Sequence, residues 1–146
     1  MKVFFSILLI TFGLGMNHES ASLAPSCSST LNDVTIELQT LDGIQRDCVE
    51  PDTEYKLVIR RNSSCFAYYC VNGMYGVVNR TTGLNFYQCQ DAGPVTTFYF
   101  KTNSSGVDIE FFVSGFAEIN GVYTFLDEIS VSYSNGGFGG CSGQQW

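Results

Sequence analysis

The chain has 146 residues, seven Lys and Arg against fourteen Asp and Glu, and a formal net charge of −7. An acidic chain of this kind repels phosphate backbones, because nucleic-acid binding rests on lysines and arginines that displace counterions. The basic pair Arg60-Arg61 is too small a footprint, so no nucleic-acid partner is expected.

The N-terminus sets the compartment. Lys2 precedes an apolar run from Val3 to Leu14, which stops before Asn17-His18-Glu19. That is a charged n-region and an h-region of secretory length, too short to span a bilayer. Small residues at Ser20-Ala21-Ser22 offer a cleavage site. The sequence therefore predicts a signal peptide over 1–22 and a secreted mature chain over 23–146. Losing Lys2 and Glu19 leaves six basic and thirteen acidic residues, so the mature charge stays at −7. The mature part contains no second apolar run of membrane length, and no membrane span is expected.

All six cysteines, Cys27, Cys48, Cys65, Cys70, Cys89 and Cys141, lie in the mature part. An even number after a secretory leader reads as three disulfides formed in an oxidising compartment. A zinc site is disfavoured, because there is no CxxC pair and no mature histidine. The pairing is not legible. Three N-x-S/T sequons, at Asn62, Asn79 and Asn103, fit the same compartment as glycosylation acceptors, each in a turn.

In chain order, Val34, Ile36 and Leu38 alternate with Thr35, Glu37 and Gln39. Asp42-Gly43 and then Pro51-Asp52 mark turns. Tyr55, Leu57 and Ile59 alternate with Lys56 and Arg60. Such period-two runs are half-buried strands. Asn72-Gly73 lies between Phe66–Val71 and Met74–Val78 and predicts a hairpin. Val107, Ile109, Phe111 and Val113 alternate with Asp108 and Glu110, and Asn120-Gly121 turns the chain into its last strand. There Val122, Thr124 and Leu126 share one parity, whereas Ile129, Val131 and Tyr133 have the other. Both sets reach one core only through an extra residue, which predicts a β-bulge at Asp127-Glu128.

No apolar pattern of helical period persists over three turns. The reading is one all-β domain, an antiparallel β-sandwich of jelly-roll type with seven or eight strands, stapled by disulfides. Its core spans 34–133, and a glycine-rich tail over 134–146 is pinned by Cys141.

Two segments carry a family resemblance. Pro51-Asp52-Thr53-Glu54-Tyr55-Lys56-Leu57 is similar to the "pro-gly-thr-x-tyr-thr-leu" lead-in of a strand in CenC-like carbohydrate-binding modules. Val122-Tyr123-Thr124-Phe125-Leu126-Asp127-Glu128-Ile129-Ser130-Val131 resembles their closing strand, and Thr97–Lys101 with Val107–Val113 resembles the penultimate pair. The resemblance implies the galactose-binding-domain-like jelly roll of many small secreted fungal proteins. It also implies a structural calcium with Asp127 among its ligands, although the family's asparagine-rich opening segment and its tryptophan are absent ahead of Val34. No other cofactor is expected.

Catalysis has few candidate groups. The only histidine, His18, lies within the predicted leader, and oxidised cysteines supply no thiolate. Of the carboxylates Asp108, Glu110, Asp127 and Glu128, the first two alternate with core residues and read as a solvated strand face, so no enzyme is expected. Recognition has more to work with, since sugar C–H faces stack on aromatic rings while polar groups fix the hydroxyls. Tyr69, Tyr75 and Tyr87 are the expected platform. Tyr68 and Tyr69, being adjacent, point to opposite faces, and only one can be core. The expected partner is a glycan, with a protein-directed interaction or effector role as the alternative.

Overall fold

Alternation becomes strand wherever the sequence carries it. The computed structural model describes residues 27–61 and 65–141; the segment expected to be a signal peptide, Asn62 and Trp146 lie outside them. Ten strands follow a short 3-10 turn at Leu31–Asp33: β1 (Thr35–Thr40), β2 (Gln45–Arg46), β3 (Cys48–Val49), β4 (Glu54–Arg60), β5 (Tyr68–Tyr75), β6 (Val77–Val78), β7 (Tyr87–Asp91), β8 (Val95–Thr102), β9 (Ile109–Ile119) and β10 (Val122–Asn135).

The strands form two packed five-stranded sheets, ordered β2-β1-β4-β8-β6 and β3-β10-β9-β5-β7. The expected all-β sandwich is present. Jelly-roll type describes its two-layer packing and not its connection order. Strands β1, β4 and β8 lie side by side, and β10, β9, β5 and β7 form the other sheet. That is the A-B-E and G-F-C-C′ order of an immunoglobulin-type Greek key. All the pairings are antiparallel except a short parallel contact of β3 with the end of β10.

The inner faces meet in one apolar core. Leu38, Leu57, Ile59, Phe98 and Phe100 face it from the first sheet, and Val71, Ile109, Phe111 and Val113 from the second. Its centre is a group of edge-on rings. Phe100 and Phe111 meet across the sheets with centroids 4.8 Å apart, and Phe86 packs against both at 6.2 Å. Each such fully buried side chain contributes about 1.5–3 kcal/mol relative to exposure. Thr102, buried among them, donates its hydroxyl to Glu50 O at 2.5 Å and accepts from Thr53 N–H at 2.9 Å, so its burial leaves no polar group unmet.

The turns at Asp42-Gly43, Pro51-Asp52 and Asn120-Gly121 are where the sequence places them. Asn120 and Gly121 both adopt positive φ, 53° and 80°, the geometry of a two-residue hairpin turn. The Asn72-Gly73 hairpin is not formed. Strand β5 runs straight through it, with Asn72 paired to Tyr87 on one side and Phe112 on the other. Gly73 answers a packing demand instead, since a Cβ there would sit 2.7 Å from Val77 Cβ. The chain turns three residues later, at Gly76, where φ is +66°. The β-bulge of the last strand is real but earlier than expected. Register against β9 shifts between Phe125 and Asp127, so Leu126 is the extra residue.

Three disulfides close the fold: Cys27–Cys65, Cys48–Cys141 and Cys70–Cys89. Such bonds form and persist in oxidising environments, consistent with a secreted chain. Cys48–Cys141 pins the glycine-rich tail to β3, and Cys70–Cys89 joins directly paired residues of β5 and β7. Among the described residues no helix is long and apolar enough to cross a membrane.

Candidate functional site

The two outer faces of the sandwich differ in chemistry. The face of β1, β4 and β8 is laced with charge pairs: Arg60–Glu37 and Arg80–Glu54, each at 3.1 Å, and Lys101–Asp52 at 2.8 Å. Arg80 also covers the Tyr99 ring, 4.6 Å from its centroid. The strands of the other sheet contain no Lys or Arg at all, and carry Asp91, Glu110, Glu118, Asp127 and Glu128.

Register turns the second outer face into rows. Phe125, Phe116, Tyr68 and Asp91 are paired in line across β10, β9, β5 and β7. The next row is Glu128, Ser114, Cys70 and Cys89, and the one after it Ser130, Phe112, Asn72 and Tyr87. A last row holds Ser132, Glu110 and Tyr75. Opposite residues in a pair point the same way, and alternate residues along β9 (Ile109, Phe111, Val113) are buried in the core. Seven aromatic rings therefore share the outward face of this sheet: Tyr68, Phe116, Tyr123 and Phe125 at one end, Phe112, Tyr75 and Tyr87 at the other. Phe112 and Phe116 are four residues apart on one strand, about 13 Å.

The first group is an organised cluster. Tyr123 stacks on Tyr68 with centroids 4.5 Å apart and planes at 23°. Phe116 meets Tyr68 edge-on at 6.3 Å and Phe125 at 5.9 Å. Tyr123 and Phe125 remain 48% and 56% exposed, so the rings support one another and still present surface. The Tyr123 hydroxyl donates to Asp91 Oδ1 at 3.3 Å. Partial desolvation, and then the Asp91 charge, push the phenol above its usual range. Two more carboxylates are held by hydroxyls: Ser114 donates to Glu128 at 2.7 Å and Ser130 to Glu110 at 2.9 Å. These bonds orient the two acids.

The three tyrosines of the expected platform do not lie on one face. Tyr75 and Tyr87 are each 63% exposed on this face, but Tyr69 is fully buried. Tyr69 shares the inward parity of Val71 and packs against Phe66, centroids 5.7 Å apart; its neighbour Tyr68 takes the outer face. Sequence reasoning missed Tyr68, Phe112, Phe116, Tyr123 and Phe125 as a surface. The signal was present: the two-residue turn at Asn120-Gly121 fixes Phe116 opposite Phe125 and Glu118 opposite Tyr123.

The residues do not fit the calcium that the resemblance implies. Asp127 Oδ2 accepts the Leu31 N–H at 2.7 Å, anchoring the 3-10 turn, and this bond holds its carboxyl below the usual range. Its surroundings thus supply donors, where a calcium shell needs oxygen acceptors. Among the described residues no three His, Cys, Asp or Glu side chains come together. Of the other acids considered, Asp108 accepts the Asn135 N–H at 2.9 Å. Asn79 and Asn103 both lie in turns, with Asn79 Oδ1 accepting the Thr81 and Thr82 N–H groups and Asn103 Oδ1 that of Ser105.

Away from this face, a concavity lies under the tip of the β9–β10 hairpin, which overhangs the core. It is a cleft of about 430 Å³ walled by the Cys27–Cys65 disulfide, Ala117, Ile119 and Leu126. This overhang explains why Val122, in the inward phase, is nonetheless exposed.

No protein-family model matches the chain, and a comparison with curated proteins found no match either. Among solved structures the fold is similar to the human F-spondin reeler domain, at 8% identity and a TM-score of 0.45, over 68% of this chain and 87% of that one.

Proposed function

We propose that this is a non-catalytic extracellular recognition domain that binds a glycan by stacking sugar rings on the outer face of the β10-β9-β5-β7 sheet. The observation that carries the reading is the set of seven aromatic rings on one sheet face, interleaved with Ser114, Ser130, Ser132, Asn72 and four carboxylates. Soluble monomers rarely leave such a surface uncovered without a use for it. Pyranose rings offer apolar C–H faces to the aromatics and hydroxyls to the acids and amides between them. Rings spread over about 13 Å along β9 suit an extended chain of sugars better than a single small molecule.

The test is retention on insoluble polysaccharides by the oxidised protein, beside two paired variants, Tyr123→Ala/Phe125→Ala and Tyr75→Ala/Tyr87→Ala. All four side chains are exposed, so both variants keep the core. Retention of the parent with loss in both variants is the expected result. A folded parent retained by no polysaccharide, or variants retained equally, would overturn the reading.

A further inference from the structure

The aromatic face has a second property, its charge. Asp91, Glu110, Glu118 and Glu128 project among or beside the rings, and none of the strands of this sheet carries Lys or Arg. The protein's paired cations, Arg60, Arg80 and Lys101, belong to the opposite side of the sandwich. The acids are also placed rather than loose. Ser130 and Ser114 hold Glu110 and Glu128 by hydroxyl hydrogen bonds, and the Tyr123 hydroxyl reaches Asp91.

Three classes of sugar polymer would meet this face differently. An anionic polymer is repelled by every fixed charge on it. A neutral one gains the ring stacking but must cover carboxylates that lose water and find no counter-charge, which costs free energy. A polymer of amino sugars satisfies both features at once. Its pyranose faces lie on the rings, and its ammonium groups reach the carboxylates or the π-faces of Tyr75, Tyr87 and Tyr123.

Resting on the glycan reading above, we propose that the ligand is a cationic, amine-bearing polysaccharide, recognised by charge complementarity between its ammonium groups and the Asp91, Glu110, Glu118 and Glu128 carboxylates around the aromatic face.

The test uses two forms of one polymer, poly-N-acetylglucosamine and its partly deacetylated product, which share the ring and differ in charge. The oxidised protein is expected to be retained more strongly by the deacetylated form, and to lose that advantage as salt is raised from about 0.1 M to about 1 M. Glu110→Gln/Glu128→Gln keeps the shape and the serine hydrogen bonds and is expected to weaken retention roughly three- to tenfold. Asp42→Asn/Asp47→Asn removes the same charge from exposed loops elsewhere and is expected to change nothing. Equal retention on both polymer forms would overturn this inference and leave the glycan reading standing. Equal weakening by the two charge variants would overturn it as well, since net charge alone would then govern binding. No retention on any polysaccharide would overturn both.

Discussion

Tyr123 of β10 stacks on Tyr68 of β5 across the intervening strand β9, ring centroids 4.5 Å apart, and donates its hydroxyl to Asp91 of β7. One side chain thus ties four neighbouring strands together on the outer surface. Removing the ring should open this surface without unfolding the domain. Tyr123→Ala is expected to lower the melting temperature by only a few degrees, matching a loss of about 0.5–1.5 kcal/mol from the aromatic pair. Near-ultraviolet circular dichroism should show the lost ring coupling.

Tyr69 behaves in the opposite way. Being fully buried against Phe66, its truncation to Ala is expected to cost about 3–5 kcal/mol in chemical denaturation. Any binding lost with it would follow from unfolding, so Tyr69→Ala separates a core tyrosine from the surface set.

Gly115 lies in β9 with the Phe66 ring directly over it, and a Cβ there would fall 2.3 Å from the ring carbons. Gly115→Ala is therefore expected to destabilise by about 1–3 kcal/mol through overpacking. The same change in a Phe66→Leu background should cost less, and a double-mutant cycle measures that coupling.

Tyr133 provides the pH dependence. Burial first, and then the Glu37 charge, raise its phenol from 10.0 to about 12. A phenol that resists ionisation only in the folded state contributes stability that is complete below the unfolded value and is lost as pH rises through the folded one. Stability should thus fall between pH 10 and about 12, by at most about 2 kcal/mol from this group. In Tyr133→Phe that part of the decline should be missing from denaturation curves taken across the same window.

Calcium is expected to leave the melting temperature unchanged, because Asp127 is already committed to the Leu31 N–H. A rise in melting temperature with added calcium, reversed by chelation, would contradict this assignment.

Much of the architecture was legible because strand and turn signals are local. The alternation at Tyr55, Leu57 and Ile59 put the right residues inside, and the parity switch after Leu126 announced a bulge to within a residue. The failures share one cause, which is that tertiary packing is not a local property. Asn72-Gly73 has the composition of a turn, yet Gly73 is there so that Val77 can approach the backbone. Tyr69 looked as available as Tyr75 until Val71 fixed its parity. Part of the charge asymmetry is visible in the sequence, since no Lys or Arg follows Lys101 while five acids do, but that these acids share a sheet with Asp91 and the aromatic rings appears only once the strands are sorted. The aromatic face could have been found by extending the register outward from Asn120-Gly121.

The most direct measurement is backbone amide NMR of the oxidised, isotope-labelled protein titrated with soluble oligosaccharides of deacetylated poly-N-acetylglucosamine. Shift changes confined to the outer-face positions of β5, β9 and β10, around Tyr68, Asn72, Phe112, Phe116 and Tyr123, are the expected result. A folded protein with no shift changes, or with changes on the β1-β4-β8 face, would contradict the assignment of this surface.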